Sequence, residues 1–501
     1  MVERKIFKTL MSSEDALIKL GKHCKIKPKE IEKRAILDSS GMIIADDIVS
    51  NLDVPNFDKA SMDGYAIVAS DTFGAKEDQP IKLEITGVSQ PGAPPSGTIN
   101  TGKAIEVGTG APIPGGANSV VMVEYTQIIN KELRVYRAVS PGENITPAGS
   151  DKRAGEIVLR KGQIISSREI GVLAAIGLNK VPIYRKPKVA IISIGNELVK
   201  PGNVLEYAQI FDINSNSVSA SVLENGGSPL NPVIVGDNKR IIKDAVISAL
   251  QEADIVLTSG STSAGAGDIL NTVIEEFGYP GIIVHGLTLK PGKPTLIAVI
   301  NKKPLIGLPG YPTSALMIFK LIVAPIIRKM AGLPKDNEEP NISANVARKV
   351  FSIKGKRELM PVHLISSLSG FSVYPVAYGS GAISTMALAD GYVDIPKNQE
   401  FLEEGDEVQV KLFSPNVQLA DLLIIGSHCT GIDLILQHMR TKMPNLVSKV
   451  VNIGSMGGLN SILRGEADIS GVHILDENTG KYNIGHLKRQ KLFDQVSLVR
   501  G

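Results

Sequence analysis

The sequence predicts a multidomain protein of α/β and β structure: a central, mostly parallel α/β domain, two β-rich domains and a small α/β tail. A chain of 501 residues is too long for one hydrophobic core. Strand and helix patterns alternate from 187 to 330, which indicates a parallel sheet covered by helices. Short strand-like runs separated by Gly/Pro turns fill 42–145 and 340–412, which is typical of all-β domains.

The composition argues against several classes of function. A chain that is 43% hydrophobic and 21% charged is typical of a folded protein. Lys and Arg number 54 and Asp and Glu number 51, a balance that argues against a general binder of polyanions. Aromatic residues make up only 4% and Trp is absent, so platforms for stacking single-stranded nucleic acid are not expected. We therefore predict no nucleic-acid partner.

Cysteine usage and hydropathy bear on the compartment. Cys24 and Cys429 show no CxxC or Cys/His ligand spacing and are interpreted as free thiols in a reducing compartment. The N-terminal residues scatter charges through an amphipathic pattern, unlike a secretory signal. No apolar run approaches the ~20 residues that a membrane helix needs. The prediction is a soluble, cytoplasmic protein with no membrane partner.

The chain pattern predicts individual elements in order. A helix is expected over 12–22, with Ser12 or Ser13 as N-cap and Gly21 as its stop, and a second helix ends at Gly177. In the central region the predicted strands are KVAIISIG, SPLNPVIVG, DIVLTSG, PTLIAVI and KPLIGLPG. The predicted helices are SNSVSASVLENG, NKRIIKDAVISALQEA, GDILNTVIEEFG and one long helix, TSALMIFKLIVAPIIRKMAG. Four further strand-like runs follow, which indicate a small β-barrel or sandwich.

The tail has a second α/β pattern. The strands DLLIIGSHC, SKVVNIGS and ADISGVHIL alternate with two helical stretches. This segment has ~85 residues, fewer than the ~100–150 of a typical domain. It therefore either packs onto the rest of the chain or belongs to a larger, truncated domain, and the second interpretation is favoured.

Candidate chemistry lies in three loops at the carboxyl ends of predicted strands, where open α/β sheets bind ligands. The first loop, SIGNELVKPG, places Glu197 at the edge of the sheet. Its carboxylate suits a metal ion or a sugar hydroxyl. Equally, it is a favourable residue for the first turn of a helix.

The second loop, TSGSTSAGAGD, has the composition of an anion cradle. Glycines let backbone N–H groups approach an anion, hydroxyls add donors, and a helix N-terminus follows. Asp268 is either a magnesium ligand facing that anion or the N-cap of the helix. The small residues of the cradle are Ser259, Gly260, Ser261, Thr262, Ser263 and Gly265.

The third loop, GLPGYPTSAL, leads into a helix that Thr313 or Ser314 is expected to cap. Just before it, LTLKPGKPT sets Lys290 and Lys293 on a rigid Pro/Gly loop that suits phosphate contacts, although most lysines are simply surface residues. Three anion-friendly loops on one edge together predict a phosphate-binding site. By contrast, Asp63 in FDKASMDGYAIV is by itself typical of an Asp-Gly turn.

Taken together, the motifs resemble the molybdopterin molybdenumtransferase family, which includes MoeA and the gephyrin E domain. The resemblance covers residues 1–412 and keeps one motif order throughout. It is carried by PNFDKASMDGYAI, GTGAPIPGGANSVVMVE, GSDKRAGEIVLRKGQII, SIGNELV, FDINSN, TSGSTSAGAGD, LKPGKP and GLPGYPTSAL.

The resemblance implies a reaction and an assembly. Adenylylated molybdopterin and molybdate, or tungstate, would be converted to metal cofactor and AMP with the help of Mg²⁺. It implies a homodimer with the cleft between the α/β domain of one subunit and the 51–144 domain of the other, so that Asp63 acts in trans. A molybdopterin adenylyltransferase is the implied partner.

The same resemblance assigns residues. Catalytic roles fall to Asp63, Asp151, Glu197, Asp237 and Asp268, and the metal would be bound by Glu197, Asp237 and Asp268. The cofactor-binding set is Thr109, Ser259, Gly260, Ser261, Thr262, Ser263, Gly265, Lys290, Lys293, Pro309, Gly310 and Ser314.

Several positions depart from the family pattern, among them Asn118 in place of the usual Asp and Gly286 in place of a frequent lysine. Asn196 replaces Asp in G-D-E-L, Ser261 and Thr262 alter the serine loop, and Tyr311 replaces Asn in L-P-G-N-P. The serine loop also resembles that of molybdopterin adenylyltransferases. AMP transfer onto molybdopterin and a non-catalytic paralogue that binds molybdopterin or an oxyanion therefore stay open as alternatives.

The resemblance also divides the chain. The expected domains are 1–50 with 145–182 (linker or dimerisation), 51–144 (β-rich), 183–335 (α/β, molybdopterin-binding), 340–413 (small β-barrel) and 415–501. The last segment resembles part of a periplasmic-binding-protein-like domain in GSHCTGIDLIL and GSMGGLNSILRGEADISGVHILDENTGKYN. Our hypothesis is that it senses or delivers the oxyanion through loops containing Ser427 and 455–458.

Overall fold

A computed structural model describes residues 10–260, 269–334, 340–367, 370–376, 382–414, 420–477 and 479–489. The chain divides into two compact units, one of Lys29–Arg185 and one of Met1–Pro28 with Lys186–Gly501. Each unit contains its own clusters of buried hydrophobic side chains. The finer division into five domains stays a prediction.

The first helix, α1 (Ser13–His23), belongs to the larger unit. Ser12 is the N-cap, and its hydroxyl accepts a hydrogen bond from the backbone N–H of Asp15 at 3.1 Å. The predicted stop at Gly21 is wrong, because the helix continues for one further half-turn to His23. Gly21 does not adopt the left-handed conformation that ends many helices, so nothing interrupts the backbone there.

The smaller unit is mainly β structure. Its elements are β1 (Ile31–Ala35), β2 (Ile48–Val49), β3 (Lys59–Ala60), β4 (Gly64–Ile67), β5 (Ile81–Ser89), β6 (Lys103–Val107), β7 (Ser119–Met122), β8 (Thr126–Ile129), β9 (Glu132–Val135), β10 (Ile145–Thr146), β11 (Ile157–Leu159), α2 (Ser167–Ala175) and β12 (Lys180–Tyr184). Six strands form one sheet in the order β7-β4-β6-β5-β9-β8. The predicted helix before Gly177 is confirmed as α2, which Ser166 and Glu169 cap reciprocally.

The central part of the larger unit is a seven-stranded α/β sheet. Its elements are β13 (Lys188–Ile194), β14 (Leu198–Val199), β15 (Ile210–Phe211), α3 (Ile213–Glu224), β16 (Ser228–Pro229), β17 (Val233–Val235), α4 (Lys239–Glu252), β18 (Ile255–Ser259), α5 (Ile269–Glu275), β19 (Gly281–His285), β20 (Leu289–Lys290), β21 (Leu296–Ile300), β22 (Lys303–Leu308), α6 (Pro312–Ile318) and α7 (Ala324–Met330). The sheet order is β16-β13-β18-β22-β21-β19, and β17 also pairs with β13. Two core clusters flank it, one on each face.

This sheet is mixed. The strands from β16 to β22 pair in parallel, but β21 is antiparallel to β22 and β19 is antiparallel to β21. The reversal is a hairpin whose two turn residues, Asn301 and Lys302, have positive φ angles of 51° and 62°. That turn matches the twist of paired strands. The sequence pattern does not predict it because the turn lacks glycine.

Prolines break two elements that the pattern predicts as continuous. The expected strand SPLNPVIVG is divided into β16 and β17, since Pro232 has no N–H to donate to a ladder. The expected long helix contains a π-helical turn, Phe319–Val323, between α6 and α7. Pro325 in the first turn of α7 lacks the N–H of a regular α-helical bond, which explains the wider turn.

A barrel-like sheet follows. Its elements are β23 (Asn341–Val346), β24 (Val350–Phe351), β25 (Arg357–Ser367), β26 (Gly370–Pro375), α8 (Ile383–Leu388), β27 (Gly391–Ile395), β28 (Phe401–Leu402) and β29 (Glu407–Leu412). Strands β25, β26, β23, β29 and β27 pair in that order, and β27 pairs again with β25, so the five strands form a closed ring. At its start β25 also pairs with β20 of the central region, in parallel.

The C-terminal segment is a small α/β layer. Its elements are β30 (Leu422–Gly426), α9 (Thr430–Lys442), β31 (Ser448–Asn452), α10 (Gly454–Leu463), β32 (Leu475–Asp476), β33 (Lys481–Tyr482) and α11 (Ile484–Arg489). The two parallel strands β30 and β31 are confirmed. The third expected strand, ADISGVHIL, is mostly wrong, because it contributes only one bridge from Ile469 and the short β32.

The segment packs against the barrel through shared core and polar contacts. Ile425 and Val451 belong to one buried cluster with Ile365 and Tyr374 of the barrel. The Tyr374 hydroxyl donates to the Glu466 carboxylate, which Arg464 also contacts at 2.8 Å. The ammonium group of Lys449 pairs with Asp390. No helix in the described ranges is long and apolar enough to span a membrane.

Candidate active site

Three strands of the central sheet end at the same level. Ser193 of β13 lies opposite Ser259 of β18, and Ser259 lies opposite Leu308 of β22. All three strands are parallel neighbours, so the loops that follow them emerge side by side at the carboxyl edge. This arrangement is typical of ligand sites in open α/β sheets.

The described residues of these loops, with Ser259 and Gly260 at the end of β18, line a cleft of about 1780 Å³. The strand β20 and the start of β25 close its other side, so the barrel contributes to the cleft as well. Of the residues predicted for the site, the structure brings together Glu197, Asp237, Ser259, Gly260, Lys290, Lys293, Pro309, Gly310 and Ser314. Ser261, Thr262, Ser263, Gly265 and Asp268 lie outside the described residues.

Asn214 ties two of the loops together. Its buried amide Nδ2 donates to Ser259 Oγ at 2.7 Å and to the carbonyl oxygen of Gly310 at 2.8 Å. It stands in the first turn of α3, whose N-cap Asp212 accepts a hydrogen bond from the N–H of Ser215 at 3.1 Å. Neither Asp212 nor Asn214 was among the predicted site residues. The signal was the FDINSN motif, in which a helix N-cap is followed two residues later by a second polar side chain.

Gly260 is required by the backbone of the second loop. Its φ angle is +90°, and a Cβ there would lie 2.2 Å from the carbonyl oxygen of Ile194. A side chain would therefore be both conformationally strained and in collision with the neighbouring strand end. The close approach of these two loops depends on glycine at this position.

The departure at Asn196 has a clear structural role. Its Oδ1 accepts a hydrogen bond from the backbone N–H of Asp237 at 3.0 Å, which links the loop after β13 to the one after β17. An aspartate would make the same acceptor contact, so the Asn-for-Asp change keeps the geometry. It removes one negative charge beside the exposed carboxylates of Glu197 and Asp237.

The third loop begins its helix differently from the expectation. Neither Thr313 nor Ser314 is the cap: α6 starts at Pro312, and Tyr311 occupies the N-cap position without a side-chain hydrogen bond to the helix. Proline in the first turn has the right φ angle and lacks an N–H that would need a partner. The Tyr311 side chain is exposed and lines the cleft.

The lysines of the cleft are balanced by carboxylates. Lys290 forms an ion pair with Glu358 of the barrel, with 2.8 Å between Nζ and Oε1. The sequence pattern gave no sign of Glu358, because its position depends on how the barrel packs. The described lining contains three lysines and four carboxylates, namely Lys290, Lys293, Lys356, Glu197, Asp212, Asp237 and Glu358. The lining is therefore not positively charged overall, although it has several possible phosphate contacts.

In the smaller unit, the structure brings together two more predicted residues. Asp63 Oδ1 accepts hydrogen bonds from the backbone N–H of Thr109 at 2.6 Å and from its hydroxyl at 2.8 Å. These bonds stabilise the carboxylate and lower the pKa of Asp63 below its ordinary value. Asp151 is exposed, and its backbone N–H donates to the carbonyl of Val54 at 3.0 Å.

The donor set can be tested against a magnesium ion. Within the described ranges, no three His, Cys, Asp or Glu side chains gather as a preformed metal site. Magnesium, however, commonly uses one or two protein carboxylates, with phosphate oxygens and water completing its shell. Glu197 and Asp237 supply two carboxylates to the same cleft, so the residues fit a magnesium ion bound together with a phosphate ligand.

Family models cover most of the chain. The MoeA N-terminal region (domain I and II) matches residues 11–177, and the MoeA C-terminal region (domain IV) matches 343–413. The model described as "Probable molybdopterin binding domain" matches 190–329, the part that forms the central sheet. A PBP superfamily domain matches 436–501.

Individual relatives agree with these models. A protein of Methanocaldococcus jannaschii named for molybdopterin biosynthesis is 34% identical over 395 residues, which is 77% of this chain and 92% of its own length. A molybdopterin molybdenumtransferase of Nostoc sp. is 32% identical over 378 residues, 74% of this chain and 86% of its own. A crystal structure of a molybdopterin biosynthesis MoeA protein from Pyrococcus horikosii is 39% identical, with a TM-score of 0.69, and covers 81% of this chain and all of that one.

The fold, with its mixed sheet and barrel-like sheets, is that of a MoeA-like multidomain protein. The chain belongs to the molybdopterin molybdenumtransferase family, and it carries a C-terminal PBP-like domain.

Proposed function

We propose that this chain is an enzyme of molybdenum cofactor biosynthesis that inserts the metal of molybdate into adenylylated molybdopterin and releases AMP. The observation that supports the proposal is the alignment of Ser193, Ser259 and Leu308 at one sheet edge, beside a cleft whose described lining includes Ser259, Gly260, Lys290 and Lys293. Relatives named molybdopterin molybdenumtransferase share about a third of its residues over most of its length. Tungstate is the alternative metal oxyanion.

The cleft suits a ligand that joins a pterin to a nucleotide through phosphates. The proposed phosphate contacts are the Ser259 hydroxyl, the Gly260 backbone, Lys290 and Lys293, all of which line it. Asn214 would hold the two loops at fixed spacing, so the donors need not be ordered when the ligand binds. Pro309, Gly310 and Ser314 form the adjoining wall.

Magnesium is proposed as the cofactor, bound by Glu197 and Asp237, with Asp268 as a further ligand. A bound divalent cation would neutralise phosphate charge as the anhydride is cleaved. The charge balance of the lining favours such a cation. Four carboxylates and three lysines among the described lining residues would otherwise face a polyanionic substrate without a positive surplus.

The assembly is proposed on the family resemblance. We infer a cytoplasmic homodimer in which Asp63 of each subunit acts in the cleft of the other, together with Thr109 and Asp151. The Asp63–Thr109 hydrogen bonds support a defined role for this carboxylate, because they hold it ionised and in one orientation. A molybdopterin adenylyltransferase is the proposed supplier of the adenylylated substrate.

A turnover assay tests the function. Purified protein is incubated with adenylylated molybdopterin, magnesium and molybdate or tungstate, and AMP release is followed. We expect metal-dependent release, and a loss of about 100-fold in Asp63→Ala, the scale of a missing catalytic group. Asp78→Ala, an exposed aspartate of the same unit, is the matched control and should be unaffected.

The same assay, run also with ATP and molybdopterin in place of adenylylated molybdopterin, separates the alternatives. Formation of adenylylated molybdopterin from ATP and molybdopterin, without metal insertion, would instead identify an adenylyltransferase. Tight binding of adenylylated molybdopterin without AMP release would identify a non-catalytic binding protein. Equal rates for Asp63→Ala and wild type would remove Asp63 from the mechanism.

A further inference from the structure

The ion pair between Lys290 and Glu358 joins the central region to the barrel inside the cleft. The two residues lie directly opposite each other on the parallel strands β20 and β25. Glu358 is buried, and its second oxygen accepts a hydrogen bond from Ser352 Oγ at 2.9 Å. The carboxylate is therefore fixed on both sides, whereas 44% of the Lys290 side chain is exposed.

This geometry decides how much charge Lys290 offers to a ligand. A carboxylate 2.8 Å from the ammonium group cancels a large part of its attraction for a bound anion. Lys290 keeps N–H groups that can donate to a ligand, because an ammonium group has three donors. It thus acts mainly as a hydrogen-bond donor of limited net charge.

The consequence differs between two kinds of anion. A small free dianion, such as sulfate or phosphate, is attracted mostly by charge. A large ligand with a pterin and a nucleotide draws binding free energy from many other contacts in the cleft. Neutralising the lysine therefore weakens the binding of a small free dianion more than the binding of the large ligand.

We propose that Glu358 is a specificity-determining residue, which lowers the affinity of the cleft for small free dianions by neutralising Lys290. Molybdate, the small dianion of the proposed reaction, would then be selected over sulfate and phosphate by the hydrogen-bond donors of the loops and not by its charge. The identity of the favoured ligand rests on the proposed function. The effect on small anions does not, because it follows from the ion pair alone.

Glu358→Gln removes the charge with little change in shape. The glutamine carbonyl can accept from Lys290, and its amide can donate to the Ser352 hydroxyl, so both contacts can persist. Glu400→Gln is the matched control: Glu400 pairs with Lys354 at 2.6 Å on the same barrel, and neither residue lines the cleft.

The test is isothermal titration of the full chain with sulfate, at constant ionic strength so that screening is equal. We expect Glu358→Gln to bind sulfate about tenfold more tightly than wild type, the effect of one uncompensated partly exposed charge. Glu400→Gln should match wild type. Adding Lys290→Met to Glu358→Gln should abolish the gain, since the released charge is that of Lys290.

Unchanged or weaker sulfate binding in a folded Glu358→Gln variant would overturn the proposal. Lys290→Met combined with Glu358→Met provides a second test that does not need that variant to fold. It removes both charges of the ion pair and leaves the net charge of the cleft unchanged, so sulfate binding should weaken less than about threefold; a loss of tenfold or more would also overturn the proposal.

The outcome is independent of turnover. Tenfold tighter sulfate binding in Glu358→Gln, together with no AMP release by wild type, would support the role of Glu358 and defeat the proposed function. Normal AMP release by wild type, together with unchanged sulfate affinity in Glu358→Gln, would support the proposed function and defeat the role of Glu358.

Discussion

The central sheet and the C-terminal segment share a pattern of parallel strands followed by helices, but they bury their strands differently. In the central sheet, β13 and β18 have strand neighbours on both sides and a core cluster on each face. In the C-terminal segment, β30 and β31 pair with each other, and their buried side chains share a cluster with Ile365 and Tyr374 of the barrel. The same sequence pattern therefore gives a sheet with its own core clusters in the central region, and a two-stranded layer that shares its core with the barrel in the C-terminal segment.

Their polar contacts follow the same division. The loops of the central sheet are held from within, by Asn214 across Ser259 and Gly310. The C-terminal segment is held from outside, where Tyr374 of the barrel meets Glu466 and Arg464. We infer that damage to a central loop stays in the central sheet, whereas damage to the barrel contact loosens the C-terminal segment.

Gly260→Ala should give the largest effect and should be confined to the central sheet. The new Cβ would collide with the Ile194 carbonyl at a positive φ angle, so we expect a loss of about 4 kcal/mol in the free energy of unfolding. Urea unfolding measures it, and AMP release should fall with it. Gly21→Ala in α1 is the control, because the space around it is open and alanine favours a helix. Wild-type stability in Gly260→Ala would show that the loop does not need its close approach to β13.

Glu466→Ala should loosen the C-terminal segment alone. It leaves Arg464 and the Tyr374 hydroxyl without their buried partner, a change that costs about 3 kcal/mol in comparable pairs. Hydrogen exchange should rise in β30, β31 and α10 and stay unchanged in β13 and β18. Tyr374→Phe, which removes one hydroxyl, should cost about 1 kcal/mol. Equal loss of protection in both regions would contradict the division drawn above.

Acid should weaken the barrel where it faces the C-terminal segment. Burial, followed by the nearby charge of Lys449, lowers the pKa of His363 to about 4, against 6.5 when the chain is unfolded. The unfolded state therefore binds the proton first, so the stability due to neutral His363 is complete above pH 6.5 and is lost as the pH falls toward 4. By pH 4.5 the free energy of unfolding should have fallen by about 2 kcal/mol from this cause.

Urea unfolding of wild type and His363→Gln at pH 7 and pH 4.5 checks this loss of stability in acid. The variant has no imidazole to titrate. The difference in stability between wild type and variant should shrink or change sign in acid. The same difference at both pH values would mean that His363 is not the titrating group.

The sequence predicts the central region best because its signals are local. Runs of β-branched residues define β13 and β18, and the small-residue loops after them predict the edge where the cleft lies. The antiparallel hairpin at Asn301 and Lys302 and the break at Pro232 were missed, because they depend on turn geometry and ladder bonds rather than on periodicity.

The site was predicted where motifs carry it and missed where packing does. Glu197 and the two lysines were predicted from their loops, and Asp237 from the family resemblance alone; the structure puts all four in one cleft. Glu358 and the Tyr374–Glu466 contact unite residues distant in the chain, so no pattern along the chain reveals them. These contacts form only where the folded barrel packs against the central region and the C-terminal segment.

The closed ring of five strands in the barrel limits how anything can be attached to it. A sheet with open edges accepts a new domain by pairing with one of its strands, but a ring offers almost no unpaired backbone. The C-terminal segment accordingly joins through side chains, among them Tyr374, Asp390 and Lys449. Such a joint can be gained or lost in evolution by a few substitutions, without altering a single strand pairing around the cleft.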